Sequence, residues 1–185
     1  MKEPITLGNR EPLLALLRHH RTSYPEELNM LEEMIRFVTD HPDCFERSLL
    51  EGHVTGSAWI VNPERSHVLL MHHFKLDKWV QPGGHCDGDP DVMAVAIREA
   101  EEETGLFVVP ITKSIFDLDI HTIPAKGDVP EHLHYDIRWL MEAAKGDEDL
   151  PNNHESHAIR WIKMDEVHRY TSSDSVLRML QKTAT

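Results

Sequence analysis

The sequence lacks three features that would each identify a class of protein. Only two of its 185 residues are cysteines, Cys44 and Cys86, and they form no C-x-x-C pair, so a disulfide framework is not indicated. No apolar run approaches the roughly 18 residues that a membrane helix needs. The first residues also lack an apolar signal segment. We therefore expect a cytoplasmic protein that does not act in a membrane.

Positive charge is scarce as well. The chain has 19 Lys and Arg against 32 Asp and Glu, which gives a formal net charge of −13. Binding of long DNA or RNA relies on a basic surface, so a long polyanionic partner is disfavoured. A small phosphorylated substrate remains compatible with this charge, because a bound divalent cation reverses the local sign.

The remaining composition is that of an ordinary globular protein, with 40% hydrophobic and 28% charged residues. A chain of this length can bury one substantial core. Helical patterns occupy residues 10–50, and strand patterns begin at Val54. We therefore divide the chain into an N-terminal helical extension, 1–48, and a main domain, 49–185. The extension is interpreted as a packing element or as the contact surface of a homodimer.

Alternating apolar residues predict several strands in the main domain. The predicted strands are residues 54–61, 66–72, 106–109, 114–121, 132–143 and 157–164. One central helix lies among them, and two short helices follow the last strand. This mixed order favours an α/β (α+β) fold, a three-layer α/β/α sandwich with a mixed sheet.

The central helix ends in a dense carboxylate cluster that follows a glycine turn and an acidic loop. Residues three and four apart share one helix face, so Glu99, Glu102 and Glu103 are predicted neighbours. Like charges at this spacing repel, whereas a hard cation such as Mg²⁺ binds carboxylate oxygens and keeps positions open for phosphates. We expect an apolar stripe to pack the helix on the core. This stripe consists of Met93, Ala96, Ile97 and Ala100.

The ends of this helix carry recognisable signals. Asp89 or Asp91 is predicted to cap the start, and Pro90 suits the first turn. Gly105 is predicted to end the helix in a left-handed conformation. Cys86, in the preceding loop, is either a reactive thiol or an incidental small residue, and we favour the second interpretation.

The segment 84–106 resembles the Nudix box, G-x5-E-x7-R-E-U-x-E-E-x-G-U, in which U is aliphatic. The spacing of the whole pattern is matched, which makes the resemblance highly specific. It extends more loosely over residues 50–170. The matching residues are Gly84, Arg98, Glu99, Ala100, Glu102, Glu103, Gly105 and Leu106.

One position departs from the family pattern. Pro90 stands where the family has a glutamate, which usually pairs with the box arginine and steadies the loop on the helix. Pro90 cannot pair with Arg98. Asp87, Asp89 and Asp91 are the loop carboxylates available instead, and we expect activity to survive.

The resemblance implies a Mg²⁺-dependent hydrolase, with Mn²⁺ as a substitute, that cleaves the diphosphate linkage of a nucleoside diphosphate joined to a group X. It implies that Glu99, Glu102 and Glu103 bind the metal and that a Gly83 backbone carbonyl completes its sphere. Either Glu99 or Glu102 would be the general base, and Arg98 would orient the cluster. The partner is then a small nucleotide-type substrate, whose X group stays open.

Residues outside the helix are candidates for substrate binding. His85 follows the glycine pair, and Lys75 lies just upstream of it. His134 lies on a polar strand face that is interpreted as part of a cleft. Glu131 and Glu155 are candidates for a further carboxylate at the site.

Three alternatives compete with the hydrolase. Pro90 raises the hypothesis of a catalytically weakened nucleotide-binding module, although all three helix glutamates remain. A second alternative is an isomerase acting on a prenyl diphosphate, with Cys86 or a histidine as the protonating group. The third is a zinc hydrolase that uses His132, His134 and Asp136, since two histidines and a carboxylate on one strand face can bind a metal.

Overall fold

The computed structural model describes residues 8–74, 77–144, 150 and 156–184. Its helices are α1 (Glu11–His19), α2 (Pro25–Asp40), α3 (Val92–Thr104) and α4 (Asp174–Thr183), with a 3-10 helix at Met164–Arg169. Its strands are β1 (Gly52–Val61), β2 (His67–His73), β3 (Lys78–Val80), β4 (Gly83–His85), β5 (Val109–Pro110), β6 (Asp117–Ile123), β7 (His132–Glu142) and β8 (Ser156–Lys163).

The described strands form one mixed sheet around β1 and β7, which pair in parallel along the full length of β1. The other edge of β1 is shared: residues 60–61 pair antiparallel with β2, and residues 55–57 pair antiparallel with β4. Strands β5 and β6 pair with β7, whereas β3 and β8 pair with β2. The short glycine-containing strand β4 is therefore held beside the centre of the sheet.

Alternate residues of β1 pack into two cores on opposite faces of the sheet, as the two-residue period of a strand requires. Val54, Ala58 and Ile60 pack with α1, α2 and α3. Trp59 and Val61 pack with α4 and the 3-10 helix. The predicted three-layer arrangement with a mixed sheet is confirmed.

The N-terminal helices belong to the α3 side of this core. Leu17, Met34 and Val38 are fully buried there. Phe37 of α2 stacks on Tyr135 of β7, with ring centroids 3.8 Å apart. The predicted helical region before the sheet is confirmed, whereas the boundary at residue 48 stays a prediction.

The predicted apolar stripe of α3 packs on the core, but the buried side of the helix is centred on other residues. The residues of α3 that are buried are Val92, Val95, Ala96, Ala100 and Thr104, whereas Met93 and Ile97 are only half-buried. The helix is thus turned so that Glu99 and Glu103, at helical spacing from Val92, continue its sheet-facing side.

The strand predicted at residues 106–109 is limited to Val109–Pro110, which pairs with β7. The backbone N–H of Leu106 donates to the Thr104 hydroxyl at 3.1 Å, and the side chain of Phe107 is exposed. The helix cap therefore uses the residues that the apolar pattern assigned to the strand. The strands predicted near residues 114, 132 and 157 are present as β6, β7 and β8 with ends shifted by a few residues.

Charged side chains fill the middle of the sheet face opposite α3. The buried Arg138 guanidinium bonds to Asp136 at 2.8 Å, Asp119 at 3.0 Å and Asp117 at 3.3 Å. Arg178 of α4 adds a second guanidinium on Asp117, at 2.9 Å. This ion-pair network ties α2 and α4 to the sheet and consists of Glu27, Asp117, Asp119, Asp136, Arg138, Arg178 and Lys182.

No helix among the described residues has both the length and the apolar character to cross a membrane.

Candidate active site

The acidic loop before α3 uses its three aspartates in three different ways. Asp91 caps the helix by accepting from the backbone N–H of Ala94 at 3.0 Å. Asp87 pairs with Arg47, whose hydrogen bonds hold the pKa of that carboxyl below its usual value. Asp89 lies 3.8 Å from the Arg98 guanidinium. Of the carboxylates proposed to replace the missing glutamate, Asp89 is the one beside Arg98.

Strand β4 and the last turns of α3 form the candidate active site. The backbone N–H of Gly83 donates to a Glu103 carboxylate oxygen at 2.9 Å. A Cβ at Gly84 would lie 2.5 Å from the carboxyl carbon of Glu99, so glycine is what allows this close approach. Arg98 donates to Glu99 at 3.1 Å. Two of the predicted metal carboxylates therefore meet at the glycine pair.

Glu102 lies one turn from Glu99, on the exposed side of α3. It faces solvent at the edge of the site, whereas Glu99 and Glu103 contact the strand. The three carboxylates thus line the helix from the sheet outwards.

The electrostatics of α3 favour a bound cation. The carboxylates crowd the C-terminal end of the helix, where the macrodipole is negative, and its last turn has no basic residue. The macrodipole therefore destabilises the ionised carboxylates, and repulsion among them destabilises them further. Oxygen donors of this kind, held against a glycine strand, fit a hard divalent ion such as Mg²⁺.

The opposite face of β4 leads to a cluster of histidines. Because Gly84 faces α3, the next residue, His85, points to the other side of the sheet. Neighbouring rings in this group have centroids 4.8 to 5.5 Å apart. The histidine cluster consists of His53, His85, His121, His132 and His134. Two predicted substrate residues, His85 and His134, are therefore brought together, but away from the carboxylates of α3.

Of the inner members of the cluster, His53 is buried and His134 is half-buried, and both have a lowered pKa. His53 is 3% exposed, and burial followed by the charges of His85 and His132 lowers its pKa to about 4. Burial followed by the charge of His85 lowers the pKa of His134 to about 2. Within the described chain, neither ring nitrogen of His53 makes a hydrogen bond, nor does Nε2 of His134.

The structure does not bring Asp136 to His132 and His134, with which the zinc-hydrolase alternative grouped it. Its carboxylate accepts hydrogen bonds from Ser57 at 2.7 Å, Thr55 at 3.0 Å and Arg138 at 2.8 Å. Asp136 shares the strand face with the histidines but is bound into the ion-pair network.

For the other predicted site residues, no contact with the carboxylates is observed within the described part of the chain. Glu131 is exposed immediately before β7. Lys75 and Glu155 lie outside the described residues. Cys86 is buried, and burial raises the pKa of its thiol, which supports the incidental interpretation and disfavours this thiol as the acid of an isomerase.

His53 was not among the residues predicted from the sequence. Its only sequence signal is the alternation with Thr55 and Ser57 along β1, which places all three on one strand face. Its proximity to His134 depends on the parallel pairing of β1 with β7, which no local motif specifies.

Comparison with known proteins agrees with this geometry. A family model described as the NUDIX domain matches residues 52–181. The asymmetrical bis(5'-nucleosyl)-tetraphosphatase of Rattus norvegicus is 27% identical over 116 residues, covering 62% of this chain and 76% of that protein. A probable DHNTP pyrophosphohydrolase of Lactococcus lactis is 24% identical over 152 residues, covering 81% and 80% of the two chains.

The fold agrees as well. The structure of a C. elegans Ap4A hydrolase binary complex superimposes with a TM-score of 0.55 at 19% identity, covering 71% of this chain and 94% of that one. The match to the family model spans more than half of the sequence and contains both the glycine strand and the carboxylate helix. The chain belongs to the Nudix hydrolase family.

Proposed function

We propose that this Nudix pyrophosphohydrolase depends on Mg²⁺ and cleaves a phosphoanhydride bond in a small nucleoside polyphosphate. The observation that carries the proposal is the meeting of Glu99 and Glu103 at the glycine pair of β4. Such a site presents oxygen ligands next to backbone that phosphates can approach closely.

Glu99, Glu102 and Glu103 would hold Mg²⁺, or Mn²⁺ in its place, and a Gly83 carbonyl would complete the ligand set. A bound ion of this kind neutralises phosphate charge and lowers the pKa of a bound water. Arg98 fixes Glu99 through their 3.1 Å hydrogen bond, which suits Glu99 to a constant ligand role. Asp89 in turn positions Arg98.

Glu102 is the better candidate for the general base. It is exposed on the outer side of the carboxylate row, where it can accept a proton from an attacking water and release it to solvent. Glu99 is already held by Arg98. We therefore assign the role of general base to Glu102 rather than to Glu99, two residues between which the sequence could not distinguish.

The similar proteins narrow the substrate class. The rat relative is named for a bis(5'-nucleosyl) tetraphosphate and the Lactococcus relative for DHNTP. Both names describe hydrolysis within a phosphate chain attached to a small organic group. We therefore propose dinucleoside polyphosphates and nucleoside-type triphosphates as the first substrates.

The test is phosphate release from a panel of these compounds with Mg²⁺, Mn²⁺ or chelator. Glu99→Gln and Glu103→Gln should each lower kcat/KM by about 100-fold or more, because several kcal/mol of transition-state stabilisation is removed. Glu101→Gln, on the same helix, is the matched control and should retain most activity. Chelator-resistant turnover, or near-normal rates in both variants, would refute the proposal.

The base assignment has its own readout. Glu102→Gln should lower kcat by about 100-fold or more with a smaller loss of Mg²⁺ affinity than Glu99→Gln, because the exposed Glu102 would be the outermost ligand as well as the base. The opposite division of effects would exchange the two roles. Metal binding without turnover of any compound would instead support the weakened binding module.

A further inference from the structure

We propose that His53, His132 and His134 form a binding site for a divalent transition-metal ion such as Zn²⁺, separate from the carboxylates of α3. The three side chains come from the adjacent strands β1 and β7. Each offers one ligand atom, and these atoms all lie within 4.8 Å of one another. None of the three belongs to the Nudix box, so this site goes beyond the proposed hydrolysis.

Backbone register places the three histidines together. In the parallel pairing of β1 with β7, His53 lies directly beside His134. His132 is two residues before His134 and therefore points to the same face. Ligands on paired central strands are held more rigidly than ligands on loops.

The buried nitrogens of this group lack other partners. Neither ring nitrogen of His53 nor Nε2 of His134 is hydrogen-bonded within the described residues, and solvent does not reach these atoms. The backbone of Leu49 lies near His53 and slightly raises its pKa, but it does not meet the geometric criteria for a hydrogen bond with either ring nitrogen. Buried polar atoms left unpaired cost free energy, and a metal ion would satisfy them.

His132 is already oriented as a ligand. Its Nδ1 lies 2.9 Å from the Pro130 carbonyl oxygen, so Nδ1 carries the proton and Nε2 keeps its lone pair. A backbone carbonyl that fixes the tautomer in this way is typical of histidines that bind metals. Neutral imidazole is the form that coordinates metal ions, and each of the three side chains offers one such ligand atom.

The spacing identifies what must move. Zn²⁺ binds imidazole nitrogen at about 2.0–2.1 Å, so two nitrogens on one tetrahedral ion lie roughly 3.4 Å apart. The rings must therefore approach one another by about 1 Å, which rotation about side-chain bonds provides. Imidazole suits Zn²⁺, Ni²⁺ and Cu²⁺, whereas carboxylates suit Mg²⁺, so the two sites differ in selectivity.

The experiment measures binding of Zn²⁺ to untagged, full-length protein in a Glu99→Gln/Glu102→Gln/Glu103→Gln background, which removes the three proposed carboxylate ligands. Calorimetric titration should give one Zn²⁺ per chain and no Mg²⁺ binding. Adding His53→Leu or His132→Leu should weaken Zn²⁺ affinity by more than about 100-fold, because loss of an outer-shell partner alone costs roughly 10- to 100-fold. His168→Leu, at an exposed position, is the matched control and should change nothing.

Cobalt supplies a second readout, because Co²⁺ with nitrogen ligands gives visible absorption bands that respond to each ligand. These bands should appear in the parent background and disappear in the His132→Leu variant, whose ring is less buried than that of His53. Absence of Zn²⁺ binding in the parent, or unchanged affinity in both leucine variants, would overturn the proposal. Because the readout is binding, its outcome is independent of whether the enzyme hydrolyses nucleotides.

Discussion

The two ends of one sheet face differ in whether their buried polar groups have partners within the protein. In the ion-pair network, Arg138 is surrounded by three carboxylates, and Asp117 also receives Arg178. One step along the same strands, His53 and His134 are also withdrawn from water but keep ring nitrogens without hydrogen bonds. The faces are continuous, because residues 134, 136 and 138 alternate along β7.

This difference distinguishes a group of polar residues that stabilises the fold from one that is suited to bind a ligand. Burial of a polar group is stable when its partners come from the protein, and the network supplies them from α2, α4 and the sheet. His53 and His134 have the same strands beneath them, but ring nitrogens of both lack a hydrogen-bond partner among the described residues. An incomplete set on rigid strands is what a bound ion would complete.

We call the ion-pair network the closed end of this sheet face and the histidine cluster its open end. Disrupting the closed end should produce the largest loss of stability. Replacing Arg138 with methionine leaves Asp117, Asp119 and Asp136 facing each other without their shared guanidinium. The free energy of unfolding should fall by about 3–5 kcal/mol, the usual cost of removing one member of a buried ion pair. Urea denaturation followed by circular dichroism measures this change.

The matched control is Arg169→Met, which removes an exposed guanidinium 3.2 Å from Glu166. It should change stability by about 0.5 kcal/mol or less. Equal losses in the two variants would contradict the distinction between buried and exposed pairs.

At the open end, the buried His53 should make the stability of the protein depend on pH. Burial, followed by the charges of His85, His132 and Arg47, keeps the pKa of His53 near 4. The unfolded chain therefore takes up protons first, at a pKa near 6.5. Stability from a neutral buried His53 is present above pH 6.5 and is lost as the pH falls from 6.5 towards 4. The loss is roughly 2 kcal/mol between pH 7 and pH 5.

The closed end should lose stability over a lower pH range. Burial alone would raise the pKa of Glu27, but hydrogen bonds from His20, Lys182 and Thr22 outweigh it and lower the pKa to about 2. Its contribution is present above pH 4.5 and is lost as the pH falls from 4.5 towards 2.

Thermal unfolding of chelator-treated protein at intervals between pH 7 and pH 3 separates the two ranges. In a His53→Leu/His134→Leu variant, the decline between pH 7 and pH 5 should be largely removed, while the decline below pH 4.5 stays. A wild-type protein whose Tm is constant from pH 7 to pH 5 would contradict the neutral, buried state of the cluster.

At neutral pH the open end should tolerate replacement. His53→Leu removes a ring that makes no hydrogen bond in the described structure, and leucine fills a similar volume. Metal-free stability at pH 7.5 should change by less than about 1.5 kcal/mol. A loss as large as that of Arg138→Met would show that His53 belongs to the closed network.

The smallest effects should come from the loop that joins β4 to α3. The side chains of Asp89 and Arg98 are each 41% exposed and 3.8 Å apart, so Asp89→Asn should cost less than about 1 kcal/mol of stability. Pro90→Glu should leave kcat/KM equal or raise it, because a second carboxylate becomes available to Arg98. A large loss of activity in Pro90→Glu would show that this loop requires its present geometry.

Local patterns made much of this molecule predictable. The spacing of Glu99, Glu102 and Glu103 predicted carboxylates along one side of α3, whose role as a metal site stays a prediction. Strand alternation predicted β1, β7 and β8, which the structure contains. The signals that failed depend on tertiary contacts. The buried side of α3 is set by the sheet beneath it, so the mixed pattern around Met93 and Ile97 was ambiguous.

The ion-pair network could not be predicted from the sequence, because it too depends on tertiary contacts. Lys182 reaches Glu27 at 2.6 Å across 155 positions of sequence, and Arg178 reaches Asp117 from α4. A lone charged residue on an amphipathic helix predicts a solvated face. Only the packed elements show that these charges meet inside.

The pairing of β1 with β7 has a consequence for how the chain is made. All ten residues of β1 are buried, yet its partner lies about 80 positions later, as the 81-residue separation of Thr55 and Asp136 shows. At ribosomal rates of about 5–20 residues per second, β7 follows β1 by roughly 4–16 s. During that interval an apolar strand waits with one edge unpaired, and sheet closure is a slow, long-range event. We therefore expect synthesis to be a stage at which this chain is exposed to aggregation.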